Sequence, residues 1–211
     1  MIISSSKPFE EVLMLLQDED PIFVVGCSVC AAKLHVGGEP EVKEMCERLA
    51  RAGKHVIGGT VPRAACNMRS PKVLTDLDPE ILNAGAILVM SCGSGASTIA
   101  RMFDIPVYPA NNTDSLGGMS GDEVLHDQCA MCGQCIIGEF GGVCPTAKCP
   151  KGLLNGPCGG SMNGKCEVDP EKDCAWELIY ERLERIGRLD LLESICEPKE
   201  HGVRRSDRRI A

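Results

Sequence analysis

Aromatic side chains are scarce: 1 Trp, 2 Tyr and 4 Phe in 211 residues. So few rings leave little with which to stack bases. Positive charge is also in deficit. Lys and Arg number 22 against 30 Asp and Glu, for a formal charge of −8, the opposite of a nucleic-acid footprint. No nucleic-acid partner is expected. No apolar run reaches 18 residues, so no membrane insertion is expected either. Residues 1–11 lack the basic and apolar regions of a secretory signal, and the expected location is cytoplasmic. No Ser-His-Asp order, P-loop or H-E-x-x-H pattern occurs, and the carboxylates show no acid/base pairing. No active site of its own is expected. A (β/α)8 barrel needs about 250 residues, so this length is not expected to hold a complete barrel enzyme.

Cysteine is what the chain has in excess: 14 residues. In a reducing compartment such a number argues for metal rather than disulfides. The rest is ordinary for a globular protein, with 44% hydrophobic and 25% charged residues. Residues 1–110 hold five cysteines, residues 129–174 hold eight, and Cys196 stands apart.

Residues 1–110 read as β–loop–α units. Helices are expected over about 8–17, 39–52, 79–84 and 97–103, and strands over 22–25, 55–57, 86–90 and 106–108. The first three strands begin about 32 residues apart, the length of a βαβ unit. They are apolar throughout, as in a parallel sheet covered on both faces. The expected fold is α/β: a small doubly wound parallel sheet, then a Cys-rich, metal-stabilised irregular segment over 111–174, then C-terminal helices and a basic tail over 175–211. The segment 111–174 is rich in Gly, Pro, Asn and Asp and poor in apolar periodicity, and metal-binding energy can serve there as folding energy. Two helical pieces, 175–186 and 189–195, follow. The tail carries Lys199, Arg204, Arg205, Arg208 and Arg209 and reads as a solvated end.

Cys27 and Cys30 follow the first strand, Cys66 the second and Cys92 the third. Parallel strands end on one edge, where open α/β sheets bind ligands. Four thiolates from three loops would meet there, suiting a [4Fe–4S] cluster or zinc. Gly93 and Gly95, read as a turn before a helix, are candidate cofactor-binding positions whose N–H groups would donate to cluster sulfurs. The same Gly93-x-Gly95 lacks the third glycine of a dinucleotide fingerprint, since Thr98 stands there. Cys46 falls on the apolar face of a helix and reads as core.

The second group runs Cys129-x2-Cys132-x2-Cys135-x8-Cys144-Pro145-x3-Cys149-Pro150-x7-Cys158-x7-Cys166-x7-Cys174. Its C-x2-C-x2-C opening is the ferredoxin arrangement, and Cys144-Pro145 and Cys149-Pro150 echo the ferredoxin ending. Eight thiolates suffice for two sites, either two cubanes or one cubane and one zinc. The pairing beyond Cys135 stays open. His35 and His126 flank the two cysteine groups, and with thiolates enough they read as outer or surface residues.

The stretches Cys129-Ala-Met-Cys-Gly-Gln-Cys135, Cys149-Pro-Lys-Gly-Leu-Leu-Asn-Gly-Pro-Cys-Gly-Gly-Ser161, Gly164-Lys-Cys-Glu-Val-Asp-Pro170 and Asp173-Cys-Ala-Trp176 resemble the methylenetetrahydrofolate reductase C-terminal-domain family. They are similar to the MetV-type small subunit of two-subunit reductases in acetogens and related anaerobes. Gly26-Cys-Ser-Val-Cys30 and Lys33-Leu-His-Val-Gly-Gly38 resemble it as well. The resemblance implies an electron-transfer subunit with two or three [4Fe–4S] clusters, zinc in one four-thiolate site being left open. Its partners would be an electron-donor protein and a larger flavin-containing barrel subunit. That subunit alone would hold FMN and would reduce 5,10-methylenetetrahydrofolate to 5-methyltetrahydrofolate in the Wood–Ljungdahl pathway. Two other functions fit the residues: a zinc-stabilised scaffold in the same complex, and an independent redox enzyme binding a nucleotide.

Overall fold

A computed structural model describes residues 1–121 and 124–200. Four parallel strands organise the first of two compact units, Met1–Ser115. They are β2 (Ile22–Val25), β3 (Val56–Thr60), β4 (Ala86–Val89) and β5 (Val107–Pro109), in spatial order β3-β2-β4-β5. β2 lies between β3 and β4, in register Ile22 to Ala86 and Val25 to Val89 on the β4 side. Every residue of β2 and β4 is buried, as unbroken apolar strands require when both faces are covered.

The alternation of side chains divides these strands between two cores. Ile22, Val24, Ala86 and Leu88 pack with Val12 and Leu16 of α1 (Phe9–Leu15 and its C-cap) and with Val42, Met45 and Leu49 of α3 (Glu39–Arg51). Phe23, Val25, Ile87 and Val89 pack on the other face with Ala31, Leu74, Ile81, Ile99 and Phe103. Ala31 comes from α2 (Cys30–Lys33), Leu74 from α4 (Lys72–Thr75) and Ile99 from α5 (Gly93–Ala100). The parallel α/β sheet expected from the sequence is therefore present, with helical residues on both faces. Cys46 packs against the first core as expected, and burial pushes its thiol pKa up. Lys54 closes the C-terminal end of α1, donating to the carbonyls of Leu16, Gln17 and Glu19.

Three features depart from the expectation. A strand over Ile2–Ser6, β1, precedes α1. The helix after β4 starts at Gly93, four residues before the expected 97, with Cys92 as its N-cap. Third, β6 (Asn111–Met119) and β7 (Leu125–Cys129) form strands within a stretch expected to be irregular. β6 neighbours β1, where the Ser5 hydroxyl donates to Asp114 Oδ1 at 3.2 Å. Its later residues pair antiparallel with β7, Leu116 opposite Cys129 and Met119 opposite Leu125. These strands are mostly polar and part-exposed, so no alternation announced them.

The second unit begins at Leu116. Its core is small: Phe140, Cys174, Trp176, Ile179 and Leu183. Three of these lie on α7 (Ala175–Arg185), an amphipathic helix at the expected place. Phe140 meets Trp176 edge-on, with ring centroids 5.7 Å apart. Trp176 Nε1 donates to the Leu153 carbonyl at 3.2 Å. A short helix, α6 (Pro145–Lys148), packs against β7, and a 3-10 turn over Leu189–Glu193 packs on α7. The Cys-rich segment and the C-terminal helix thus share one compact unit. The tail residues Arg204, Arg205, Arg208 and Arg209 lie outside the described residues.

Candidate functional site

In the first unit the sheet topology brings Cys27, Cys30, Cys66 and Cys92 toward one edge. The strand order reverses direction between β2 and β4, the switch point where open α/β sheets leave a crevice. Cys27 and Cys30 leave the end of β2, and Cys92 leaves the end of β4. Cys66 sits in a 3-10 turn, Ala65–Asn67, that packs against α5. Cys27 and Cys92 are buried, Cys30 is half-buried and Cys66 is exposed. The Cys66 pKa is raised by partial desolvation, then by the charges that Cys92, Cys27 and Cys30 would carry. Cys66 thus lies within electrostatic reach of the other three.

Gly37 makes this approach possible, a role not visible in the sequence. A Cβ there would run into the Met90 carbonyl, so the loop after β2 lies directly against the end of β4. The Gly37 carbonyl also accepts from the Cys27 N–H at 2.8 Å.

Gly93 and Gly95 have a different part from the one expected. The Gly93 N–H donates to Thr113 Oγ1 at 2.7 Å, and the Gly95 N–H to the Cys92 carbonyl at 2.9 Å. Neither N–H is free for a cluster sulfur. Gly95 matters sterically: a Cβ there would strike the Ser91 hydroxyl, so it lets α5 sit close on β4. The two histidines have other partners. His35 faces Glu41 at 3.6 Å, and His126 shares a hydrogen bond with Ser120 at 3.2 Å.

In the second unit the cysteines fall into two groups. Cys129 ends β7, and Cys132 and Cys135 follow in a tight loop. Met131 and Gly133 turn that loop with positive φ, 51° and 83°. The Met131 N–H points at Cys129 Sγ, 3.3 Å away. Cys144 caps α6, the helix that packs on β7. Lys199 reaches this loop from 67 positions away. Its ammonium donates to Cys132 Sγ at 2.9 Å and to the Gln134 carbonyl at 3.0 Å. That contact lowers the Cys132 pKa and favours the thiolate. Sequence spacing held no signal for Lys199, which read as part of a solvated tail.

Cys149, Cys158, Cys166 and Cys174 line a single small cavity of about 20 Å³ beneath Ala175 and Trp176. The Gly160 N–H points at Cys158 Sγ, 3.4 Å away. All fourteen cysteines are free thiols. Among the described residues, no three His, Cys, Asp or Glu side chains are already drawn close enough to hold one ion. The donor chemistry nonetheless fits iron–sulfur clusters or zinc, since thiolate is the ligand both prefer.

One family match covers most of the second unit and the last residues of the first. Residues 108–202 match the family model described as Methylene-tetrahydrofolate reductase C terminal. Over that stretch the chain is similar to the C-terminal domain of methylenetetrahydrofolate reductases. No curated protein and no solved structure matches the chain. No described helix is long and apolar enough to cross a membrane.

Proposed function

We propose that the protein is an iron–sulfur electron-transfer subunit of a methylenetetrahydrofolate reductase complex. It passes electrons from a donor protein to the flavin of a larger barrel subunit, which reduces 5,10-methylenetetrahydrofolate to 5-methyltetrahydrofolate. The observation that carries this reading is that Cys27, Cys30 and Cys92 follow the ends of β2 and β4 at the switch point of the sheet, with Cys66 in electrostatic reach of them. Clusters held by such thiolates supply one-electron transfer at potentials set by charge, hydrogen bonding and exposure. This chain's own residues do the rest. Buried Cys27 and Cys92 exclude water from one side of the site, and exposed Cys66 opens the other. In the second unit, Lys199 and the Met131 N–H place positive charge and a donor against the Cys129–Cys135 loop. The family similarity of residues 108–202 supports the choice of complex.

A second reading, a zinc-stabilised scaffold in the same complex, draws on the small cavity ringed by Cys149, Cys158, Cys166 and Cys174. Metal analysis of protein purified without oxygen separates the two. The relay requires iron and sulfide, with a brown colour bleached by dithionite. Zinc alone would leave only the scaffold. In the relay, Cys66→Ala should lower iron by about four atoms per chain. It should stop donor-driven turnover of the complex while sparing turnover by artificially reduced flavin. Equal loss of both activities would count against the relay.

A further inference from the structure

We infer that a cleft along α7 in the second unit is a docking site for an arginine-rich segment of a partner protein. That role is independent of metal content and of electron transfer.

The cleft encloses about 710 Å³, a size that accepts a few side chains. Phe140, Leu154, Trp176, Leu191, Leu192 and Ile195 supply its apolar lining. Its walls are tied together before anything binds. Asn155 Nδ2 donates to the Cys196 carbonyl at 3.0 Å, and the Cys196 N–H donates to Asn155 Oδ1 at 2.7 Å. The edge-on contact of Phe140 with Trp176 fixes the two rings within the lining. Other parts of the lining stay open to solvent: Tyr180 is 49% exposed and Ile195 82%. Apolar surface left in the open around a preformed concavity marks a place for a partner.

Charge selects the occupant. Glu139, Glu177, Glu181, Glu184 and Glu193 all line the cleft, and among the described residues no Lys, Arg or His does. Among the described residues, none of these five carboxylates is in an ion pair. Arg182 and Arg188, close to them in sequence, are engaged elsewhere. Arg182 donates to the Gly141 carbonyl at 3.3 Å, and Arg188 pairs with Asp190 at 2.9 Å. Glu177 and Glu181 stand one turn apart on α7, and like charges at that spacing repel. Cations supplied from outside would relieve that repulsion. Arginine suits the place better than lysine, because its planar guanidinium forks onto a carboxylate and stacks on an aromatic ring. Trp176 and Tyr180, also one turn apart, stand beside those two carboxylates in the sequence of α7 and line the same cleft. A single small cation would leave most of the five carboxylates unpaired. A peptide with arginines spaced between apolar residues answers both the carboxylates and the apolar lining. An anionic membrane or a nucleic acid would be repelled.

The test is calorimetric titration of the full chain, purified without oxygen, with a short synthetic peptide in which arginine alternates with leucine. The control peptide carries citrulline for arginine, which keeps the shape and loses the charge. The arginine peptide should bind saturably, and about tenfold or more tighter than the control. Added salt should weaken it. Glu177→Gln/Glu181→Gln should lower its affinity about tenfold. Glu44→Gln/Glu47→Gln removes the same charge from the exposed side of α3 in the first unit and should leave the affinity unchanged. Should the α7 variant not fold, Glu139→Gln/Glu193→Gln, two exposed positions outside α7, takes its place. Four results would overturn the inference: no saturable binding, equal binding of the two peptides, an affinity that the cleft substitutions do not lower, or an equal loss from the α3 pair. Binding that appears only after residues 201–211 are deleted would overturn it too, since the cleft would then belong to the chain's own tail.

Discussion

The two units hold their thiols in opposite ways. In the first, two apolar cores clamp a parallel sheet from both faces, and the cysteines hang from strand ends that exist without them. In the second, five buried residues form the core, one of them a cysteine, and most of the remaining chain is exposed loop. The first unit is a scaffold that carries its thiols. In the second the cysteine-rich loops are much of what there is to scaffold. The same side chain thus serves one region as an ornament on a finished fold and the other as a structural element.

The largest expected effect breaks the comparison along this line. Exposing metal-loaded protein to a strong chelator should unfold the second unit and leave the first native. Hydrogen exchange should show fast exchange from about residue 130 to 173 and continued protection of β2 and β4. Equal protection of both units after complete metal removal would refute the contrast.

The reciprocal perturbation is smaller. Leu88 is fully buried on β4, and Leu88→Ala should cost about 2–5 kcal/mol in the first unit. Denaturant unfolding should show the early transition in that unit, with Trp176 fluorescence reporting an unmoved second one.

The smallest effect is confined to one thiol. The Lys199 contact lowers the Cys132 pKa, so Lys199→Met should raise it. Less thiolate would then be present near neutral pH, and alkylation of Cys132 should slow there and recover as pH rises. Lys199→Arg should restore part of the rate. An unchanged pH profile would show that the contact does not govern this thiol.

What was legible in the sequence follows the same division. β2 and β4 are unbroken apolar runs, and α3 and α7 carry their buried residues at helical spacing, so hydrophobic pattern located them. The placement of Cys27, Cys30 and Cys92 after the ends of β2 and β4 followed from one topological rule about parallel strands. The second unit offered no such pattern. β6 and β7 are polar strands, and their pairing partners, not their side chains, define them. The grouping of Cys149 with Cys158, Cys166 and Cys174 depends on turns that spacing alone does not specify. Gly93 and Gly95 misled for a related reason. A glycine pair before a helix suggests free N–H groups, but the helix begins at Gly93 and both groups are engaged.

The uneven depth of the four first-unit sulfurs has a practical side. With Cys27 and Cys92 enclosed and Cys66 at the surface, the crevice has a door. Of the four sulfurs, that of Cys66 is the most open to oxygen or peroxide arriving from solvent. Cys66 is therefore the place to watch for the first oxidised product when the protein is taken into air.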